Sequence, residues 1–255
     1  MDYELYSYRY AVKILQHAAF KAAWKEIDAV IRGTPLFVYP GKSGKNKQLD
    51  VVQQLMNTYY DRVLAVDRKW KYHPRATGIA GSQLTADFRK QFVGTDGSTL
   101  TVQAEIQLGN MSRWYTDIFK FQAAYSERMV QVGLSVVPVA DLARRIDSNV
   151  VQFERASREL PSAELSITLP IVLVGLKPDR KTVVADLSKS KFAGIKDFTG
   201  KQSKASNPGQ NRLRVVHAFL SGTSIDKVGP QSDVGPPLPA VEADMVEEDV
   251  EEEQT

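Results

Sequence analysis

In the N-terminal part of the chain, Ala11, Val12, Ile14, Leu15, Ala18, Ala22, Trp24, Ile27 and Ile31 fall at helical spacings, with Gly33 and Pro35 as stop signals. This predicts one long amphipathic helix over 8–31. A short strand at Leu36–Tyr39 and a second helix over Leu49–Val66 follow, joined by the run Pro40–Lys47. That run is rich in Gly and Lys but lacks the spacing of a phosphate loop, so it reads either as a solvated connection or as a basic contact for DNA. Further on, the pattern predicts a helix over Trp114–Arg128 with Ile118, Phe119, Phe121, Ala124 and Tyr125 on its apolar side. Then come a core strand at Val132–Val137, an amphipathic helix over Val139–Leu160 and a nearly all-apolar strand at Pro170–Leu176. A strand of that last kind is buried on both faces, as in a sheet flanked by helices, so the fold class is α/β. The stretch Lys189–Gln210 reads as a loop and Leu213–Leu220 as a last strand.

The most informative pattern lies between these parts. Leu100, Val102, Ala104, Ile106 and Leu108 alternate with Thr101, Gln103, Glu105 and Gln107, the period-two signature of a strand with one buried face. Phe88 and Phe92 alternate in the same way with Asp87, Arg89 and Gln91, and the Asp96-Gly97 step between the two runs is a strong turn signal. The two runs therefore form a hairpin. Keeping both apolar faces buried places Arg89 across from Gln103 and Asp87 across from Glu105, with an odd-length loop closed by a glycine bulge. Opposed side chains have Cβ atoms about 4.5–5.5 Å apart, near enough for two carboxylates to share a divalent cation. The same pair could instead be solvated, with Arg89 as its counter-charge.

Composition narrows the class. Hydrophobic residues at 43% and charged residues at 25% are ordinary globular values, which excludes a wholly disordered or many-span membrane protein. There is no Cys, hence no disulfide framework, thiolate chemistry or Cys-ligated metal, in keeping with a cytoplasmic location. The N-terminus carries no signal-peptide pattern and the longest apolar segment is too short to span a bilayer, so no membrane association is expected. Nine of the 30 acidic residues lie between Pro230 and Thr255, where there is no Lys or Arg. The remainder carries 33 basic against 21 acidic residues, a net +12 that suits a polyanionic partner as well as a merely solvated surface. The expected organisation is one domain over 1–229 and a disordered acidic tail over 230–255.

An Asp opening a hairpin and a Glu-x-Gln on its second strand resemble the PD-(D/E)xK nuclease site, with Gln107 where Lys usually stands. The run Asp87-Phe88-Arg89-Lys90, followed by Ala104-Glu105-Ile106-Gln107-Leu108-Gly109-Asn110, is similar to the active-site segment of the BglII/BstYI group of type II restriction endonucleases. The likeness extends to Lys69-Trp70-Lys71 and to Trp24-Lys25-Glu26-Ile27 upstream. Downstream it reaches Asp117-Ile118-Phe119 and the segment 169–176, so it touches most of residues 3–178. It is thin beyond Pro178, and the hairpin here is longer than in that group.

The resemblance implies a restriction-endonuclease-like mixed central β-sheet flanked by helices. It also implies a homodimer that cuts both strands of a short palindrome in double-stranded DNA, leaving 5′-phosphates, with a cognate DNA methyltransferase in the same cell. Asp87 and the Ile106 carbonyl would hold Mg²⁺, and Glu105 and Gln107 would orient waters in its shell. Neutral Gln107 cannot serve as a general base. Asn110, Ser112 and Arg113 directly follow the catalytic strand and could read bases, or equally cap the next helix. Lys71 and His73 would lie near the DNA, with His73 able to steer the attacking water or to be an ordinary surface residue, while His17 reads as structural. A non-catalytic DNA-binding protein on a decayed nuclease fold, and a repair nuclease of loose specificity, remain alternatives.

Overall fold

The computed structural model of the protein describes residues 1–203 and 207–241. Its elements in chain order are β1 (Asp2–Tyr8), α1 (Ala11–Leu15), α2 (Lys21–Gly33), β2 (Leu36–Val38), α3 (Gln53–Tyr60), β3 (Lys71–Tyr72), β4 (Phe88–Val93) and β5 (Thr99–Ile106). These are followed by α4 (Met111–Ser126), β6 (Val132–Pro138), α5 (Ala140–Ile146), α6 (Phe153–Glu159), β7 (Ile171–Lys177), β8 (Val184–Asp186), α7 (Lys196–Thr199) and α8 (Pro208–Leu220). Six strands form one sheet in the order β1-β7-β6-β5-β4-β3, and β2 pairs with β8 in parallel. The sheet is mixed: β5, β6 and β7 run parallel, while β1, β4 and β3 join antiparallel. β6 is buried throughout and β7 at all but its last residue, as their apolar runs require, because helices cover both sheet faces.

The hairpin has the expected register. Phe88 faces Ala104, Arg89 faces Gln103 and Val93 faces Thr99. The five-residue loop closes through the Gly97 N–H on the Gly94 carbonyl at 3.0 Å, and Gly97 sits at φ 81°, a conformation that only glycine adopts without strain. Asp96 accepts from both the Ser98 N–H (3.0 Å) and its hydroxyl (2.6 Å), which gives it a complete local role.

Four expectations need correction. The helix over 8–31 is broken: residues 2–8 form an edge strand, and the His17 ring accepts from the Ala19 N–H at 3.3 Å, capping a short turn between α1 and α2. His17 is thus a structural residue, though exposed. The helix over 139–160 is two helices. Asp147, Ser148 and Asn149 break it, and the chain there bonds back to the end of the hairpin through Val151 N–H to Gly109 O (2.9 Å) and Met111 N–H to Asn149 O (3.2 Å). Residues 213–220 belong to helix α8 rather than a strand; Asn207 caps it, Pro208 starts it, and Pro208, Asn211, Val215 and Ala218 are buried at helical spacing. The Lys189–Gln210 stretch expected as a loop contains the short helix α7 and the start of α8.

The remaining expected helices differ only at their ends. α3 starts at Gln53 rather than Leu49 and continues through residues 61–67 in wider π turns, and α4 begins at Met111, with Phe119 turned outward at 60% exposure. Of the expected tail, residues 230–241 are described. Ser232 accepts from Arg214 at 2.8 Å, Pro236 accepts from Arg62, and Asp233 pairs with His217 at 3.4 Å, so this part lies against α8 and the end of α3. The acidic run 242–255 lies outside the described residues.

Candidate active site

The period-two pattern of β5 predicts one buried face, yet both are buried. Gln103 and Glu105 are fully enclosed because α4 crosses over the polar face and Trp114 bonds from it to Ser135 of β6 at 3.2 Å. Burying a carboxylate without partners is costly, so the face is wired throughout. Arg89 donates to the Gln103 carbonyl at 2.9 Å, and the Gln103 amide donates to Glu105 Oε1 at 3.1 Å. Lys120, arriving from α4, reaches Glu105 Oε2 at 3.1 Å and Asp117 Oδ1 at 2.9 Å. The Gln107 amide donates to Asp117 Oδ2 at 3.1 Å, and its carbonyl accepts from the Gly109 N–H at 3.0 Å.

Asp87 stands at the head of β4, and its Oδ2 accepts from the Ile106 N–H at 2.8 Å. That bond ties Asp87 to the residue following Glu105, as the register demands. Asp87, Ile106, Gln107, Asp117 and Lys120 line a cleft of about 580 Å³, together with His73, Arg113, Asn57, Tyr60 and Asp61. Burial raises the Asp87 carboxyl above the usual aspartate range, against the Ile106 N–H and the Lys120 charge. Burial, and then the charge of Asp87, push Glu105 well above its ordinary value; burial likewise raises Asp117. Burial alone would lower the Lys120 ammonium, but Glu105 and Asp117 outweigh it and raise it. Asp61 is pushed up to about 7 by burial and by Asp87, with Arg212 opposing.

The sequence-predicted residues divide accordingly. Asp87, Ile106, Gln107, Arg113 and His73 share the cleft, and Glu105 lies just behind it under Lys120. The His73 N–H donates to the Asp87 carbonyl at 3.0 Å, which holds its segment at the cleft edge. Asn110 caps α4, accepting from the Ser112 N–H at 2.8 Å and its hydroxyl at 3.0 Å. Asn110 and Arg113 also line an adjoining cavity of about 510 Å³ with Ser148 and Asn149. Lys71 is exposed on edge strand β3, away from the cleft lining. Sequence reasoning missed Lys120, Asp117 as a site acid, Asp61 and Asn57. The one available signal was that Asp117 and Lys120 stand three apart on the helix directly after β5.

A family model described as restriction endonuclease BglII/BglIII matches residues 3–176, more than half of the chain. The chain belongs to this family. It is therefore a type II restriction endonuclease, a DNA-binding hydrolase of a family that generally uses divalent metal ions. Among solved structures, that of BglII complexed with a DNA 16-mer is similar at a TM-score of 0.56 and 20% identity, covering 71% of this chain and 81% of that one, which supports the restriction-endonuclease fold. Free BglII is similar at a TM-score of 0.46 and 17% identity, covering 71% and 82%. No curated protein matches the chain significantly. The family match ends before β8, α7 and α8. No helix among the described residues is long and apolar enough to cross a membrane.

Among the described residues no three acid or His side chains gather into a metal cage. Mg²⁺ does not require one, since it keeps several waters and takes one or two carboxylates plus substrate phosphate. Asp87, which keeps Oδ1 clear of any described hydrogen bond, and the Ile106 backbone carbonyl are hard-oxygen donors at the cleft that fit such an ion; Glu105 lies behind them with Oε1 on Gln103 and Oε2 on Lys120, so it would join only by giving up one of those bonds.

Proposed function

We propose that the protein hydrolyses phosphodiester bonds in both strands of a short palindromic DNA site in a Mg²⁺-dependent reaction that leaves 5′-phosphates. The observation that carries this reading is the juxtaposition of Asp87, bonded to the Ile106 N–H, with the Glu105–Lys120–Asp117 ion triad at one cleft. Asp87, Ile106 and Glu105 would hold the ion. When bound, Mg²⁺ lowers the pKa of a coordinated water and stabilises charge on the phosphoryl and leaving oxygens. Lys120 holds the Glu105 carboxylate just behind the cleft and supplies, from a helix, the positive charge that Gln107 lacks on the strand. Gln107 braces Asp117 and takes no proton. His73, at the Asp87 carbonyl, stands at the edge where the attacking water would enter.

A palindromic site calls for two active sites related by a two-fold axis, hence a homodimer. The exposed Phe119 and Tyr115 on the outer face of α4 support a contact there. In the cell, a cognate methyltransferase would protect the same sites, and the pair would act in the cytoplasm where the DNA lies.

The test is a digest of unmethylated plasmid DNA with Mg²⁺ and again with EDTA. Discrete fragments with Mg²⁺ only, ligatable without prior phosphorylation, are expected. DNA retarded in a gel but intact in both would overturn the reading.

A further inference from the structure

Helix α3 is almost wholly buried: Leu55, Met56, Thr58, Tyr59 and Tyr60 all face the core. Of the side chains it does not bury, Asn57 is exposed and Gln53, four residues before it, is half-buried beside the equally half-buried Gln54; the half-buried Asp61, four residues on, continues this polar stripe on the turn that follows. Neither side-chain amide, of Gln53 or of Asn57, has a hydrogen-bond partner among the described residues.

The cavities show where this stripe leads. Asp61 and Asn57 line the catalytic cleft; Asn57 and Gln53 line the adjoining cavity, which shares Gln107 and Arg113 with it. Gln53 then continues, with Gln54, into a third cavity of about 350 Å³, whose lining also includes Asp147, Lys42 and, on α7, Lys196. The three cavities thus make one groove with α3 running along it, from the reacting acids at one end to two lysines at the other. Beyond the catalytic cleft the groove is lined mainly by side-chain amides, with Arg113, Lys42 and Lys196 along it and the Asp147 carboxylate beside Lys42, a polar lining that suits base edges and phosphates better than an apolar ligand.

We infer that the α3 stripe is a DNA-reading edge, with Asn57 and Gln53 bonding base edges on the flank of the cut site and Lys196 contacting phosphate beyond them. The inference rests on the nuclease reading above. Helix residues rise about 1.5 Å each, so Gln53 lies about 12 Å from Asp61, and Asn57 about half as far. With base pairs stacked about every 3.4 Å, the stripe covers about three to four pairs outward from the cleft. Asn and Gln amides pair with the N6 and N7 edge of adenine, so the positions read should be A·T. Lys42 spends two of its protons on the Val51 and Ile146 carbonyls, at 2.6 and 2.9 Å, which anchors the basic loop at the groove's end.

The experiment sequences the ends produced when the full-length protein digests a library of randomised duplex DNA with Mg²⁺. The wild-type protein defines the preferred site, and Asn57→Ala and Gln53→Ala are compared with it. Each variant should lose about tenfold or more of its discrimination at one A·T position in each half-site, within about four pairs of the cut, while other positions keep their preference. Lys196→Ala should instead weaken binding to all sequences alike, measured by gel shift in Ca²⁺. If Gln53→Ala fails to fold by thermal melting, Gln53→Met keeps the packing and removes the amide. Unchanged preference to within about twofold, or a loss uniform across sequences, overturns the inference. A wild-type protein that cuts nothing fails the nuclease reading instead, so the two failures are distinguishable.

Discussion

Replacing Lys120 by Met removes the cation that touches two acids, Glu105 Oε2 at 3.1 Å and Asp117 Oδ1 at 2.9 Å. Lys120 and Asp117, 15% and 7% exposed, line the cleft, where water can reach Asp117, but Glu105 is fully buried and would be left without its cation. Deleting one partner of a buried pair leaves an uncompensated charge at a cost of about 3–5 kcal/mol. In a domain of this size each kcal/mol moves Tm by about 2–4 °C, so a fall of about 6–20 °C is expected at pH 8 in EDTA.

The pH dependence separates this cause from lost packing. Glu105, Asp117 and Asp87 have folded-state values raised above the ordinary range, so the stability they allow is present at low pH and lost as pH rises through those raised values. Removing Lys120 raises them further. The difference between wild type and Lys120→Met should therefore be small near pH 4.5 and grow toward pH 8. The assay is thermal unfolding across that range in EDTA, with Lys120→Arg expected to stay close to wild type. The double variant Glu105→Gln/Lys120→Met should recover part of the loss at pH 8. A loss independent of pH, or one below about 1 kcal/mol at pH 8, would mean that the triad behaves as a surface ion pair and would refute the reasoning.

Asp87→Asn should abolish Mg²⁺-dependent cleavage while leaving DNA binding largely intact, whereas Asp96→Asn, confined to the hairpin turn, should keep most activity; a dead Asp96→Asn beside an active Asp87→Asn, by cleavage and gel shift together, would overturn the site. Gly175→Ala would place a Cβ 2.5 Å from the Phe153 ring of α6, so unfolding should show a loss of about 1–3 kcal/mol, and an unchanged Tm would mean that α6 yields freely. Binding to DNA in Ca²⁺ should weaken with salt at a log–log slope steeper than about −4, because each phosphate neutralised contributes about −0.9; a flat dependence would show that the basic body does not face the DNA.

Much of the β4–β5 hairpin was legible in the order of residues, because a hairpin is a local structure. Alternation in 88–92 and 100–108, together with the Asp96-Gly97 turn, admits one register that buries the Phe88 and Ala104 side of both strands, and that register alone brings Asp87 beside the Glu105 strand. The apolar runs of β6 and β7 likewise marked a sheet covered on both faces. What tertiary structure decided was everything that depends on which element lies over another. The polar face of β5 looked solvated, since alternation cannot tell water from a helix that brings its own ammonium. The path of α4 buries it and delivers Lys120, fifteen residues from Glu105, to neutralise it. The break at Asp147–Asn149 and the helix at 208–220 were hidden for the same reason: short apolar periods fit helix or strand until a neighbour selects one. The groove along α3 exists only because α5, α7 and the end of β5 converge on it, contacts between segments far apart in the chain that no local pattern of residues encodes.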